Sequence, residues 1–332
     1  MADGRARRRL VVALGVALLV QALFVISYVG ALHSPKSHGV AFGVVGDSPM
    51  PGAVGKQFSL RTVQYSSEAG ALHAIDQRKV VGAFVVGPAG AKLIVAPAAG
   101  PAVASALSTG FGAAAAAFHQ KIEIVQVHRL PKGDAAGIVS FLVTMALIVG
   151  GYLSATMVMA FGGSASQRAR GAALACVAVL GGLLTCTVAG PILGAIPTSK
   201  FFVLWALFVL VMAAVAFATS ALQTVLGPAG TLVVVVVFVI FGAPAAGGSL
   251  PSAFLPGFWR AFGPYLPAGA GTTAVRNTLY FGGNAITRAL VVLVAYLVVG
   301  AIVVATTRQR RPPSVSDVEA EGAAAAAAAT VV

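Results

Sequence analysis

Apolar residues run almost unbroken over 10–32, 138–161, 171–194, 201–226, 229–246 and 287–307. A helix needs about 20 such residues to cross a bilayer. The six runs therefore predict six transmembrane helices, the fifth of them short. Residues 33–137 follow another rule, switching between the strand period of 2 and the helix period of 3.6. Strands are expected at VAFGVVG (40–46), LRTVQYS (60–66), VVGAFVV (80–86), AKLIVA (91–96) and KIEIVQVHRL (121–130). Helices are expected at SEAGALHAIDQRK (67–79), capped by Ser66 or Ser67, and over 98–120, starting near Pro101. The pattern describes an α-helical polytopic membrane protein with an α/β domain inserted between its first and second spans.

The stretch FLPGFWRAFGPYLPAGAGTTAVRNTLYF (254–281) is apolar, yet Pro256, Pro264 and Pro267 break it into pieces too short to cross. Irregular backbone at membrane depth is tolerated only where protein covers it or it lines a cavity. Two short helices, near 251–262 and 268–281, are expected to form a re-entrant hairpin between spans five and six. The alternative is an anchor lying at the interface, where Trp259 and Tyr265 favour the headgroups.

Composition agrees with a membrane protein. Hydrophobic residues make up 58% of the 332 and charged residues 9%, against about 25% charged in soluble domains. The net charge of +13 sits at the ends of apolar runs, which points to orientation rather than nucleic acid. Arg5, Arg7, Arg8 and Arg9 precede the first run, Arg168 and Arg170 follow the second, and RQRRPP (308–313) follows the last. The positive-inside rule then puts both termini in the cytoplasm and 33–137 and 247–286 outside. In domain terms, 1–9 is a basic cytoplasmic start, 10–32 the first span, 33–137 the extracytoplasmic domain and 138–307 spans two to six, with the re-entrant segment at 251–281. Residues 308–332 are a low-complexity cytoplasmic tail. The first run exceeds the apolar core of about 7–15 residues in a signal peptide, so it is expected to stay as an anchor. Cys176 and Cys186 lie ten residues apart in one run, about 15 Å along a helix, too far for a disulfide.

No P-loop, GxSxG, HExxH or CxxC motif occurs, so neither ATP binding by a P-loop nor an enzyme is expected. The histidines, at 33, 38, 73, 119 and 128, lack zinc-like spacing, so no metal is expected. The interiors of the apolar runs hold no Asp, Glu, His, Lys or Arg, apart from Arg288 at the edge of the sixth. A proton-driven carrier usually places such groups there. Among the polar residues in the runs, Gln21 and Gln223 read either as bonds between helices or as groups on a substrate path. Gly100, Ala104, Ser108 and Gly112 recur every four residues, as a face packed on the sheet or a contact between protomers.

One span, then HAIDQRKVVGAFVV and LIVAPAAGPAVASAL, then five spans with YLPAGAGTTAVRNTLYFGG before the last: over roughly 8–307 this resembles the permease subunit of ABC-2-type exporters. Within them it is most similar to the branch of phage-infection-protein-like bacterial membrane proteins. The resemblance implies a cell-membrane half-transporter that forms a homodimer or heterodimer and draws on a separate cytoplasmic ABC ATPase subunit. ATP would then bind the partner, and this chain would carry no cofactor. The cargo would be amphipathic, lipid-like or a drug, moved outward. It further implies an ATPase-coupling loop at Ser164, Ser166, Gln167, Arg168 and Arg170, whose simpler role is orientation. It implies an outer gate at 251–281 with Trp259, Arg260, Tyr265, Pro267, Arg276 and Asn277. The rival expectation is a membrane-anchored protein that presents 33–137 to an envelope or phage partner. A membrane enzyme is a third.

Overall fold

A computed structural model describes residues 2–33, 39–88, 90–162, 165–248 and 250–307. Five helices are long and apolar enough to cross a membrane, over Leu14–Leu32, Val139–Phe161, Gln167–Ile192, Thr198–Leu226 and Thr287–Thr306. The first belongs to α1 (Ala2–Leu32), which already includes the basic start as helix. The others contain α5 (Val139–Phe161), α6 (Gln167–Thr187), α7 (Phe201–Leu226) and α12 (Thr287–Thr306). The run expected as a fifth crossing is a shorter helix. It begins as α8 (Pro228–Val234), passes through a π-helical stretch at Val235–Phe241 and ends as α9 (Gly242–Ala245).

Helix α7 is the hub. Over half of its apolar window is buried (56%), against 11% for α1, and it packs on α5, α6, α8 and α12. Lipid gives helices no hydrophobic reason to associate, so close contact between small residues must hold them. A Cβ on Gly300 of α12 would stand 2.6 Å from the backbone of Phe217 in α7. One on Gly182 of α6 would stand 3.0 Å from Val209 N.

Between α1 and α5 the chain forms β1 (Val40–Val45), α2 (Met50–Phe58), β2 (Leu60–Gln64), α3 (Glu68–Asp76), β3 (Gly82–Gly87), β4 (Gly90–Val95), α4 (Pro101–Ala117) and β5 (Ile122–Gln126). The strands make one sheet in the order β2-β1-β3-β4-β5. Only the β3–β4 hairpin is antiparallel. One face is covered by α4, where Phe42, Phe84 and Phe111 stack with centroids 5.2 Å apart. The other is covered by α3 through Ala71, Ala74 and Ile75, together with Phe281 from the segment before α12. Ser67 caps α3 by accepting from Gly70 N at 3.1 Å.

Three local expectations change. Helix α2 was not expected, because Pro51, Gly52 and Gly55 obscure its period. Helix α3 stops at Asp76 rather than Lys79, since Arg78 turns left-handed (φ 55°). The face of α4 on the sheet is Val103, Ala104, Leu107, Phe111 and Ala115, so the large residues carry that contact. Gly112 faces open space, and Gly110 is the glycine that lets Phe58 of α2 approach.

The hairpin region comprises α10 (Gly257–Phe262), a 3-10 turn at Gly263–Tyr265 and α11 (Pro267–Tyr280). Helix α11 sits among α5, α7, α9 and α12. A Cβ on its Gly271 would meet Thr144 Cγ2 at 2.7 Å.

Gly300→Ala is expected to weaken the α7–α12 contact by about 1–3 kcal/mol, the usual cost of overpacking, and to lower the melting temperature of the purified protein. Gly171→Ala, whose Cβ has nothing within 4 Å, leaves it unchanged or raises it. Equal melting of the two variants would show that the close approach at Gly300 does not matter.

Candidate functional site

The end of α11 meets the sheet at a polar junction. Tyr280 donates from Oη to Asp134 Oδ2 at 2.5 Å. The other Asp134 oxygen accepts from Ile138 N (2.9 Å) and Val139 N (3.1 Å), capping α5. This buried carboxylate therefore ties the start of α5 to the end of α11. His128, just past β5, contacts the Tyr280 carbonyl through Nδ1 (2.8 Å) and Asp76 Oδ1 through Nε2 (2.7 Å). Its ring lies 4.4 Å from that of Phe281. Lys200 Nζ donates to the carbonyls of Thr278 (2.7 Å) and Leu279 (2.8 Å), a cation at the negative end of α11.

Beside this junction is a polar cavity of about 220 Å³. From α11 it takes Gly269, Thr272, Thr273 and Arg276, spaced i, i+3, i+4 and i+7 on one helical face. Asn277 is fully buried. Its Oδ1 accepts from Arg78 Nη1 at 2.7 Å, while its Nδ2 donates to the carbonyls of Asn284 (2.8 Å) and Ala285 (3.2 Å). The Arg78 guanidinium also lies over Phe281, 5.2 Å from its centroid. Burial, and then the charge of Arg276, push Arg78 down to about 10, so it stays protonated at neutral pH. Arg276 donates to the carbonyls of Gly137 and Gly248. Arg288, at the start of α12, stands exposed at the cavity's edge.

Two further cavities are apolar. One of about 480 Å³ lies between α7, the π-helical stretch and α12, lined by Leu222, Val225, Val237, Phe238, Tyr296 and Val299 among others. The other, about 550 Å³, lies where Leu250 and Phe254 meet α2, β2 and α4.

The residues expected as an outer gate divide in two. Arg260 and Tyr265 are exposed and Trp259 rests against Gly30 of α1, whereas Pro267, Arg276 and Asn277 are buried. The expected coupling loop lies at the opposite end of the bundle. Ser166 caps α6 by accepting from Ala169 N at 3.2 Å, and Gln167 Nε2 donates to Thr307 O at 2.6 Å. Arg168 is exposed and Arg170 packs beside Gly162; Ser164 lies outside the described residues, as does the tail 308–332. Gln21 and Gln223 do not meet. Gln21 is exposed on α1, while Gln223 is buried and donates to Thr156 and Thr231 at 2.9 Å each. Reading the sequence missed Arg78, His128, Asp134 and Tyr280 as partners, although the GxxTTxxRN spacing of α11 already puts its cavity face on one side.

The family described as "Protein of unknown function (DUF3533)" matches residues 137–302, half of the chain. The chain belongs to this family. No curated protein matches it. The DUF3533 region runs from the helix capped by Asp134 almost to the end of α12, so it holds α11 and most of the helical bundle, while the sheet lies outside it.

Tyr280→Phe is expected to cost about 1.5–3 kcal/mol, the range for hydrogen bonds to charged groups. It should also speed protease cleavage between Asp134 and Val139, because the α5 cap loses its brace. Unchanged melting and cleavage would show that the Tyr280–Asp134 bond is idle.

Proposed function

We propose that this protein is the permease subunit of an ATP-driven ABC-2-type exporter, moving an amphipathic, lipid-like or drug cargo outward. The observation that carries the reading is α11, a short helix that follows a proline-broken stretch, sits within the bundle and is fastened to the sheet at its end through Phe281 and His128. Such a helix moves when its neighbours move, which suits a gate. The apolar cavity of about 480 Å³ supports a lipid-like cargo, being within the usual 300–1,000 Å³ of ligand sites. The uncharged interiors of the apolar runs offer no proton relay, which favours energy supplied by a separate ATPase.

In this reading the bundle makes six crossings, with Pro228–Ala245 as the short one. Thr231 bonds to Gln223 near one end of α7, whereas Ala245 lies against Gly263 and beside Arg78 at the sheet end. The sheet would stand outside the cell and the loop at Ser166–Arg170 would meet the ATPase within. Closing and opening of two protomers would expose the path alternately.

Cysteine labelling tests the topology. In a C176A/C186A background, a membrane-impermeant thiol reagent added to whole cells is expected to label cysteines at positions 61 and 123 but not at 7 or 168. Labelling at 7 or 168 would overturn it. Co-purification with an ATPase and ATP-dependent flux test the activity. Arg168→Glu should lower that flux about tenfold, equivalent to about 1.4 kcal/mol of coupling, without changing the melting temperature. Flux that ignores ATP depletion, or a functional complex with no ATPase, would sink the proposal.

A further inference from the structure

We propose that the cavity between α3, α11 and α12 binds a phosphate-class anion, free or as a lipid headgroup. Three guanidinium groups line it, from Arg78, Arg276 and Arg288, and no carboxylate does among the described residues. The ion pairs among those residues are Lys92–Glu68 and His128–Asp76, so none of the three arginines has a carboxylate within 4 Å. Asp134 acts on Arg276 only from a distance, since its oxygens already accept from Tyr280, Ile138 and Val139.

Two of the lining residues also carry unmet polar atoms. Thr272 is 2% exposed and Arg276 5%, yet Thr272 Oγ1 and Arg276 Nε have no hydrogen-bond partner among the described residues. A buried polar atom left unpaired costs about 1–3 kcal/mol. Arg Nε can only donate and a Thr hydroxyl can donate, so an acceptor satisfies both. Guanidinium forks match the spacing of phosphate oxygens. Thr273 and the exposed Arg288 also line it. At about 220 Å³, the space is below the usual 300–1,000 Å³ of drug-sized sites, which fits a headgroup rather than an acyl chain. The inference does not rest on the transport reading, because binding to the isolated chain needs neither ATPase nor flux.

The test uses the full chain in phosphatidylcholine nanodiscs. One arm titrates inorganic phosphate by calorimetry. The other compares melting in phosphatidylcholine discs with and without phosphatidic acid. Two variants probe the cavity: Arg288→Gln, which removes an exposed side chain with no partner among the described residues, and Thr272→Val, which keeps the shape and removes the unpaired hydroxyl. In the absence of phosphate Arg288→Gln should melt like the parent, and Thr272→Val at the same temperature or higher, since it removes an unpaired hydroxyl. Each should weaken the anion response about tenfold, as expected for a lost hydrogen bond to a charged group. A response to inorganic phosphate that the variants weaken supports a free anion. A response to phosphatidic acid alone that they weaken supports a headgroup. No response to either probe, or one that both variants leave intact, overturns the proposal.

Discussion

Phe281 follows directly on α11 and is a core residue of the sheet, 1% exposed and packed with Ala71, Ile75 and Ile94. The arrangement of the molecule depends on this insertion. A helix that ends inside a protein leaves carbonyls to be satisfied. Here Lys200 and the backbone N–H groups of Phe281 and Gly283 supply the donors. Gly282 and Gly283, at φ 62° and 84°, let the chain turn at once toward α12. The sheet is thereby held against the bundle by an aromatic plug ringed with hydrogen bonds.

The two halves are stabilised by different physics. The sheet buries Phe42, Phe84, Phe111 and Leu93, a core that water drives together. Within the bundle, glycines on α5, α6 and α12 admit the backbone or side chains of α7, and hydroxyls bond back to their own helices, as Thr144 does to Ser140 and Ser154 to Gly150. A few side chains bond across helices instead: the buried Gln223 joins α5, α7 and α8 through Thr156 and Thr231, Ser27 of α1 donates to Ile240 O, and Trp205 of α7 donates to Val179 O. Polar contact is sparse along the bundle and dense at the junction, where α11 ends.

The charge distribution follows the same division. The apolar runs are nearly free of ionisable groups, yet Arg78, Arg276 and Arg288 gather round one cavity at the sheet end. Positive charge held close without neighbouring carboxylates is costly in a buried setting. That gathering of positive charge gives the junction a chemical character that the apolar runs lack. The exposed Arg260 and Tyr265 and the buried Arg276 and Asn277 show that one segment serves both a surface and an interior.

Local pattern alone determined the long helices, the five strands and the break at Pro256, Pro264 and Pro267, because apolar length and periodicity act over a few turns of chain. It also placed Thr272, Thr273 and Arg276 on one face of α11. Helix α2 escaped because its glycines and proline mask the period, and the 229–246 run proved to be a shorter helix with a π-helical middle, which no composition rule marks. Only the tertiary structure decided that Arg78 leaves its helix to meet Asn277, 199 positions along the chain, and that Asp134 reaches Tyr280 across 146. Such pairings depend on how the sheet docks on the bundle, and docking is set by the summed fit of many distant side chains rather than by any local signal.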